Sequence, residues 1–422
     1  MKEKKLLWPL LVTLIVFLVV GSFTFSYRLR SYVTPLFLTD EIHFTFIDAY
    51  AVTFNWHGRA DTISYGVHSS KEQIVKAHAP SSMPLSTPGP FWEAALTGLL
   101  PDTVYRYTIG GGAEHTFRTP PLSQADTSFV VVAEGDIGDA VNYPHMAKVQ
   151  SFVAALHPAF SLMLGDLTYA NRFGPQSINE HFNDVMVWSQ DIPYMPAWGN
   201  HEWANGDNLQ NYKGRFDLPH AETSPPSSDM ENQGAGEDWY WFDYGSARFI
   251  NYPEPSRGAT PAWRDAMLRD DGPMAEAQKD PNIRYIVTFG HRPVYSSGLH
   301  RGEPQLVKSM QTLGEKYSKF LLNVNGHSHD YERSIPMFGV THITAGTGGA
   351  DLEAKSGSCI WKKCPAPSWS AVRYMRQGLM KFTFTREALI GEFICGPESK
   401  AKNDITCNEG DIIDTFTLYP KP

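Results

Sequence analysis

Hydrophobic and polar positions along the chain divide it into three textures. The first is an apolar run over 6–25, broken only by Pro9, Thr13, Gly21, Ser22 and Thr24 and preceded by Lys2, Lys4 and Lys5. About 20 such residues are enough to span a bilayer, while Val20-Gly21-Ser22 offers the small residues that suit cleavage of an export signal. The segment 1–30 is therefore expected to be a signal peptide or an uncleaved signal anchor. In both cases the cationic end stays in the cytoplasm and the rest of the chain lies outside it, in the periplasm, on the cell surface or secreted.

The second texture, over 41–120, alternates aromatic and β-branched residues with Pro and Gly punctuation. Strands are expected within 44–56, over 62–67, around 104–107 and, after the Gly110-Gly111-Gly112 turn, over 115–118. This pattern predicts a small all-β sandwich of about 80 residues, a domain in its own right. From 125 to 420 the third texture alternates buried strands and helices, the pattern of an α/β domain. Apolar runs at 129–133, 160–164, 194–198, 286–289 and 321–324 read as strands covered on both faces. Helices are expected over 144–156 and 304–319. Another, capped by Ser177 with Glu180 three residues on, would carry Phe182, Val185 and Met186 inward. Hairpins are expected at 239–252 and 379–394, with a last strand over 415–419, and the stretch 222–238, rich in Ser, Pro and Gly, reads as a long loop shaping substrate access.

Composition narrows the class. The 422 residues are 42% hydrophobic and 19% charged, which excludes a disordered polyelectrolyte and a multi-span membrane protein. With 36 basic against 45 acidic residues the net charge is −9, and no basic stripe suited to nucleic acid follows the first few residues. The four cysteines, Cys359, Cys364, Cys395 and Cys407, all lie late in the chain. Their spacing lacks a matching His for zinc, and export favours pairing of near neighbours. No Asn-x-Ser/Thr sequon occurs, which leans toward a bacterial exported protein.

The candidate chemistry sits at strand ends. Gly135-Asp136-Ile137-Gly138, Gly165-Asp166-Leu167-Thr168-Tyr169, Gly199-Asn200-His201-Glu202, Gly290-His291 and Gly326-His327-Ser328-His329 each follow an expected strand. Open α/β sheets gather ligands beyond the carboxyl ends of their strands, so these scattered residues converge. Two carboxylates, a phenol, an amide and three imidazoles form a mixed oxygen and nitrogen set suited to Fe, Zn or Mn. Seven donors exceed one tetrahedral ion, and the simplest solution is two ions roughly 3.5 to 4 Å apart that share a carboxylate. If 326–329 is extended, His327 and His329 point the same way, one toward each ion.

These motifs resemble those of the purple acid phosphatases within the calcineurin-like metallophosphoesterases. The superfamily's usual Asp-x-His is here Asp136-Ile137-Gly138, and Tyr169 follows Asp166 by three, the exchange that marks that family. The resemblance implies Asp136, Asp166, Tyr169 and His329 around Fe(III), with Asp166 shared, and Asn200, His291 and His327 completing a site for Fe, Zn or Mn. Leu-x-Gly-Leu-x-Pro-x-Thr-x-Tyr-x-Tyr at 96–107 is similar to the fibronectin III-like N-terminal domain of the larger members. Thr288 departs from the family's Val in Val-x-x-His, outside the ligand set.

What the resemblance implies about activity is hydrolysis of phosphate monoesters at acidic pH by direct attack of a metal-bound hydroxide, without a phosphoenzyme. His201 and His300 are the expected catalytic histidines, holding phosphate or protonating the leaving group. Glu202 is expected to support the ligands rather than join them, and Arg292 and Tyr295 either line the pocket or pack. A phosphodiesterase or nucleotide pyrophosphatase using the same centre, and a surface binding protein with a vestigial one, remain as alternatives. The expected partner is a small phosphate ester, with a membrane contact only through an uncleaved N-terminal segment.

Overall fold

A computed structural model describes residues 39–204, 206–223, 237–255, 258–353, 365–399 and 405–421. The 6–25 run, most of the 222–238 loop, Cys359 and Cys364 lie outside the described residues. No helix among the described residues is long and apolar enough to cross a membrane.

Seven strands come first: β1 Asp40–Asp48, β2 Ala51–His57, β3 Thr62–Gly66, β4 Gln73–Lys76, β5 Phe91–Leu96, β6 Val104–Ile109 and β7 His115–Arg118. They form two antiparallel sheets, ordered β1-β2-β5 and β4-β3-β6-β7. Alternation drives this arrangement: Phe44 and Phe54 from the first sheet turn inward against Tyr107 and Phe117 from the second, with Phe54 and Tyr107 ring centres 4.6 Å apart. Exposed β4 and the half-buried β5 escaped the sequence reading because their apolar pattern is weak.

The remainder is a pair of larger sheets. One contains β8 Phe129–Glu134, β9 Phe160–Met163, β10 Tyr194–Pro196, β18 Gly378–Phe384, β19 Leu389–Cys395 and β20 Ile412–Leu418, in the order β10-β9-β8-β18-β19-β20. The other contains β11 Trp241–Tyr244, β12 Ala247–Asn251, β13 Tyr285–Phe289, β14 Phe320–Asn325, β15 Tyr331–Ser334, β16 Thr341–Ala345 and β17 Ser370–Tyr374, in the order β11-β12-β13-β14-β16-β15-β17. The strands β8, β9 and β10 pair in parallel, as do β12, β13, β14 and β16. Phe160 of β9 meets Phe249 of β12 at 5.0 Å, so the two sheets face each other across an aromatic seam. Helices His145–Leu156 and Pro304–Lys316 follow β8 and β13 as expected. The mixed α/β fold is thus the one anticipated.

Four local expectations change. Ser177 does not cap a helix: the helix runs Gln176–Asp184 with Pro175 at its N-cap, and Ser177 lies buried within the first turn. Met186 belongs to a separate short turn, Met186–Ser189. Helices Thr260–Leu268 and Pro273–Lys279 were not anticipated, the first starting with Thr-Pro and the second with Pro at its first turn. Finally, the β1 to β7 region does not end at a clean boundary. Its core is continuous with that of the large sheets: Phe46 of β1 packs at 5.5 Å on Phe160, 4.9 Å on Phe242 and 5.6 Å on Tyr244.

Candidate metal centre

All five glycine-led motifs follow the carboxyl ends of β8, β9, β10, β13 and β14. Because those strands are parallel neighbours within their sheets, their ends share one rim and their loops meet. The loops are tightly bent. Asp136, Asp166, Tyr169 and His327 adopt left-handed backbone with φ of 58°, 50°, 54° and 69°, a conformation that costs a non-glycine residue about 1–3 kcal/mol and gathers at functional sites. The neighbouring glycines leave room for the ligands: a Cβ on Gly199 would overlap Asp166 Oδ1, and one on Gly326 would lie 2.6 Å from Asp136 Oδ2.

Two groups of side chains result. In one, His329 Nε2 lies 3.2 Å from Asp136 Oδ1 and 3.1 Å from the Tyr169 hydroxyl, which in turn lies 3.3 Å from Asp136 Oδ1. In the other, His291 Nε2 lies 3.2 Å from Asp166 Oδ2, 3.2 Å from Asn200 Oδ1 and 3.1 Å from His327 Nδ1. Asp166, His291 and His327 offer donor atoms all within 4.8 Å of one another, close enough to hold one ion. The two imidazoles of 326–329 do face different groups, but not because the segment is extended. His327 is left-handed, and its N–H donates to Asp136 Oδ2 at 2.6 Å, so the segment is a turn.

Two histidines are oriented from behind. His291 Nδ1 donates to the Leu164 carbonyl at 2.9 Å and His329 Nδ1 to the Asp351 carbonyl at 2.6 Å. Each bond fixes the tautomer and turns the Nε2 lone pair into the cluster, as metal-ligating histidines require. Glu202, buried, accepts from the N–H groups of Asp166, Leu167 and Gly199 at 2.8, 2.9 and 2.9 Å. It supports the Asp166 loop and does not join the donor set.

The electrostatics favour a cation. Burial alone would lower the pKa of His291, but the Asp166 carboxylate outweighs it and holds it at about 10; His329 is likewise raised to about 9 by Asp136 against its burial. Burial works against Asp166 too, yet His291 brings its pKa below the usual carboxylate range. Burial and the charges of Asp136 and Asp166 push the Tyr169 phenol far up. A negative potential that draws protons this strongly draws metal cations equally well. The donor set, its orientation and its field therefore fit metal ions.

His201 and His300 stand at the mouth. The His201 N–H donates to Asp166 Oδ1 at 2.9 Å, its ring centre is 4.4 Å from that of Tyr169, and its Nδ1 donates to Asn171 Oδ1 at 2.7 Å. His300 is exposed, yet its ring centre lies 4.3 Å from His327 and 6.4 Å from His329. Partial loss of solvent lowers both histidines below their ordinary pKa. Arg292 is engaged by Glu254 and Glu303, and Tyr295 packs against His342 and Trp369. Asn171, Asp351 and Glu353 were missed. Asp351 and Glu353 follow β16, which is succeeded by Gly346 in the same strand-then-glycine grammar as the other five loops, but no ligand type follows at once to draw attention.

Comparison with known proteins agrees with this geometry. The calcineurin-like phosphoesterase profile matches 129–331, and the iron/zinc purple acid phosphatase-like C-terminal profile follows at 339–402. The chain thus carries a calcineurin-like phosphoesterase region followed by a purple acid phosphatase-like C-terminal region, and it is similar to the purple acid phosphatases. Similarity to that family implies a dinuclear metal centre. The purple acid phosphatase PPD1 of yellow lupin superposes with a TM-score of 0.67 over 90% of this chain and 74% of its own, at 20% identity, and so shares the fold. Human acid phosphatase type 7 is 26% identical over 67% of this chain and 68% of its own length. Barley nucleotide pyrophosphatase/phosphodiesterase is 24% identical over 75% and 90%. Arabidopsis probable inactive purple acid phosphatase 1 is 27% identical over 70% of this chain and 54% of its own, so the chain spans about half of that relative.

Proposed function

We propose that the chain is an exported dinuclear metallophosphoesterase that hydrolyses phosphate monoesters at acidic pH. The observation that carries the proposal is the meeting of Asp136, Asp166, Tyr169, Asn200, His291, His327 and His329 at one rim. Asp136, Tyr169 and His329 with a shared Asp166 would hold Fe(III), and Asn200, His291 and His327 a divalent Fe, Zn or Mn, the harder ion taking the phenolate and carboxylates. When bound, such ions neutralise phosphoryl oxygens and acidify water.

The chain's own residues supply the rest. His201, tied to Asp166 and Asn171, would hold a phosphoryl oxygen. His300 overhangs His327 and is the donor for the leaving oxygen; an imidazolium in this role suits acidic pH. Export rests on the lysine-led apolar run at 6–25, and the fibronectin III-like reading of 41–120 on its two small antiparallel sheets and the 96–107 motif.

A second reading, hydrolysis of diesters or nucleotide pyrophosphates, is favoured by the barley relative, of which the alignment covers 90%. A third, a binding protein without turnover, draws on the Arabidopsis relative named probable inactive, although every expected donor is present here. Assaying p-nitrophenyl phosphate, bis-p-nitrophenyl phosphate and a nucleoside diphosphate ester side by side separates them. Preference for the first supports the proposal, preference for either of the others supports the second reading, and no turnover with metals loaded supports the third.

A further inference from the structure

The segment Ser296 to His300 has little apolar anchorage, since Leu299 and His300 are both exposed. Two carboxylates hold it, beside a bond of 3.2 Å from the Ser296 hydroxyl to Ser328 Oγ. Glu332 accepts from the Ser297 N–H at 2.8 Å and from the Ser297 hydroxyl at 2.6 Å. Glu353 accepts from the Leu299 N–H at 2.7 Å with one oxygen and from the Ser328 hydroxyl at 2.6 Å with the other. Ser328 lies between His327 and His329, and the Glu353 N–H donates to the His329 carbonyl at 3.0 Å. One side chain thus ties the residue preceding His300 to the turn that carries two candidate metal ligands.

Glu353 is itself fixed. It is buried, and Arg373, fully enclosed, lies 3.0 Å from its carboxylate while also pairing with Asp330. A buried carboxylate held by a guanidinium has little freedom to reorient, so the bond to Leu299 is a rigid one. The loop also approaches Glu353 more closely than a side chain would permit. A Cβ on Gly298 would overlap Ser328 Oγ and stand 2.8 Å from both Glu353 oxygens. His300, by contrast, makes ring contacts and no hydrogen bond of its own among the described residues.

We propose that Glu353 is a positioning residue for His300: its carboxylate latches the 296–300 loop onto the His327-Ser328-His329 turn and so holds the imidazole over the mouth of the centre. The inference rests on the reading of His300 as donor to the leaving group. It predicts that loss of the latch mimics loss of His300 without emptying the metal positions.

The test uses the full chain carrying Glu353→Gln, Gly298→Ala, His300→Ala and each of the first two combined with the third. Glu353→Gln breaks the charge pairing with Arg373, whereas Gly298→Ala disturbs the loop and leaves that pair in place, so a folding defect from one does not decide the matter. Each latch variant is expected to lower kcat on phenyl phosphate by about tenfold or more and to change kcat on p-nitrophenyl phosphate by less than about threefold, since an activated leaving group needs little protonation. Metal content should stay at the wild-type level, and each double variant should lose no more on phenyl phosphate than His300→Ala alone. In metal-free protein the Leu299 amide should exchange with deuterium faster in both latch variants. Fully additive losses, or unchanged leaving-group dependence in both latch variants while His300→Ala changes it, would overturn the inference. If His300→Ala itself leaves that dependence unchanged, the donor reading falls first, and the Leu299 exchange then decides the latch alone: faster exchange keeps it, unchanged exchange removes it.

Discussion

The metal loops and the junction between β1 and the large sheets solve opposite problems. At the rim, polar side chains are buried on strained backbone, with Asp136, Asp166, Tyr169 and His327 all left-handed. At the junction, Phe46 enters a cage of Phe160, Phe242 and Tyr244, and a buried pair, Arg215 and Glu41 at 2.8 Å, closes the side. The first arrangement spends stability to hold charge in place for chemistry; the second supplies stability through ordinary packing. One lesson is that the β1 to β7 sheets are part of the body that holds the rim, because Phe160 belongs to β9, whose carboxyl end leads to Asp166.

The largest expected effect breaks the rim. Asp166→Asn removes the charge that holds His291 protonatable and the only carboxylate in the second donor group, so metal analysis should find both ions lost or nearly so and turnover down by roughly 10³-fold. Next comes the junction: Phe46→Ala should cost about 3–5 kcal/mol in urea unfolding while leaving the ratio of activity on different esters unchanged in whatever fraction stays folded. A smaller and more selective loss is expected of His300→Ala. Steady-state rates on phenyl phosphate should fall by about 10²-fold with metal content intact, and rates on p-nitrophenyl phosphate far less.

The smallest effect concerns pH at the junction. Burial lowers the pKa of His43 in β1 and of His181, both to about 4. A base whose folded pKa lies below its unfolded value near 6.5 contributes stability that is present above about pH 6.5 and is lost as pH falls through 4. Unfolding midpoints measured from pH 7 to pH 4 should therefore drop, and the drop should be shallower in His43→Gln whatever that variant's offset at pH 7.

The same contrast explains what was legible in the chain. The donor set could be read because metal ligation demands particular residue types, and each of the five motifs opens with a glycine at a strand end, as with Gly165-Asp166 and Gly290-His291. Strands buried on both faces, such as β8 and β14, announce themselves as apolar runs. The junction left no such trace: Phe46 follows the same period-two pattern as Phe44, yet Phe44 packs within the sandwich and Phe46 outside it. Register and curvature decide that, and neither is local. Ser177 looked like a cap because Glu180 stands three residues on, but Pro175 starts the helix earlier. Glu353 was hidden because its work is to accept hydrogen bonds from distant loops, a role that any carboxylate can have.

The central claim is that seven residues hold two ions. Metal content per chain, measured by mass spectrometry on the purified protein after loading with iron and zinc and removal of excess, tests it most directly. The account predicts two bound ions in the wild type and a loss of both, or nearly so, in Asp166→Asn. One ion or none in a wild-type protein that still hydrolyses phosphate esters would contradict it.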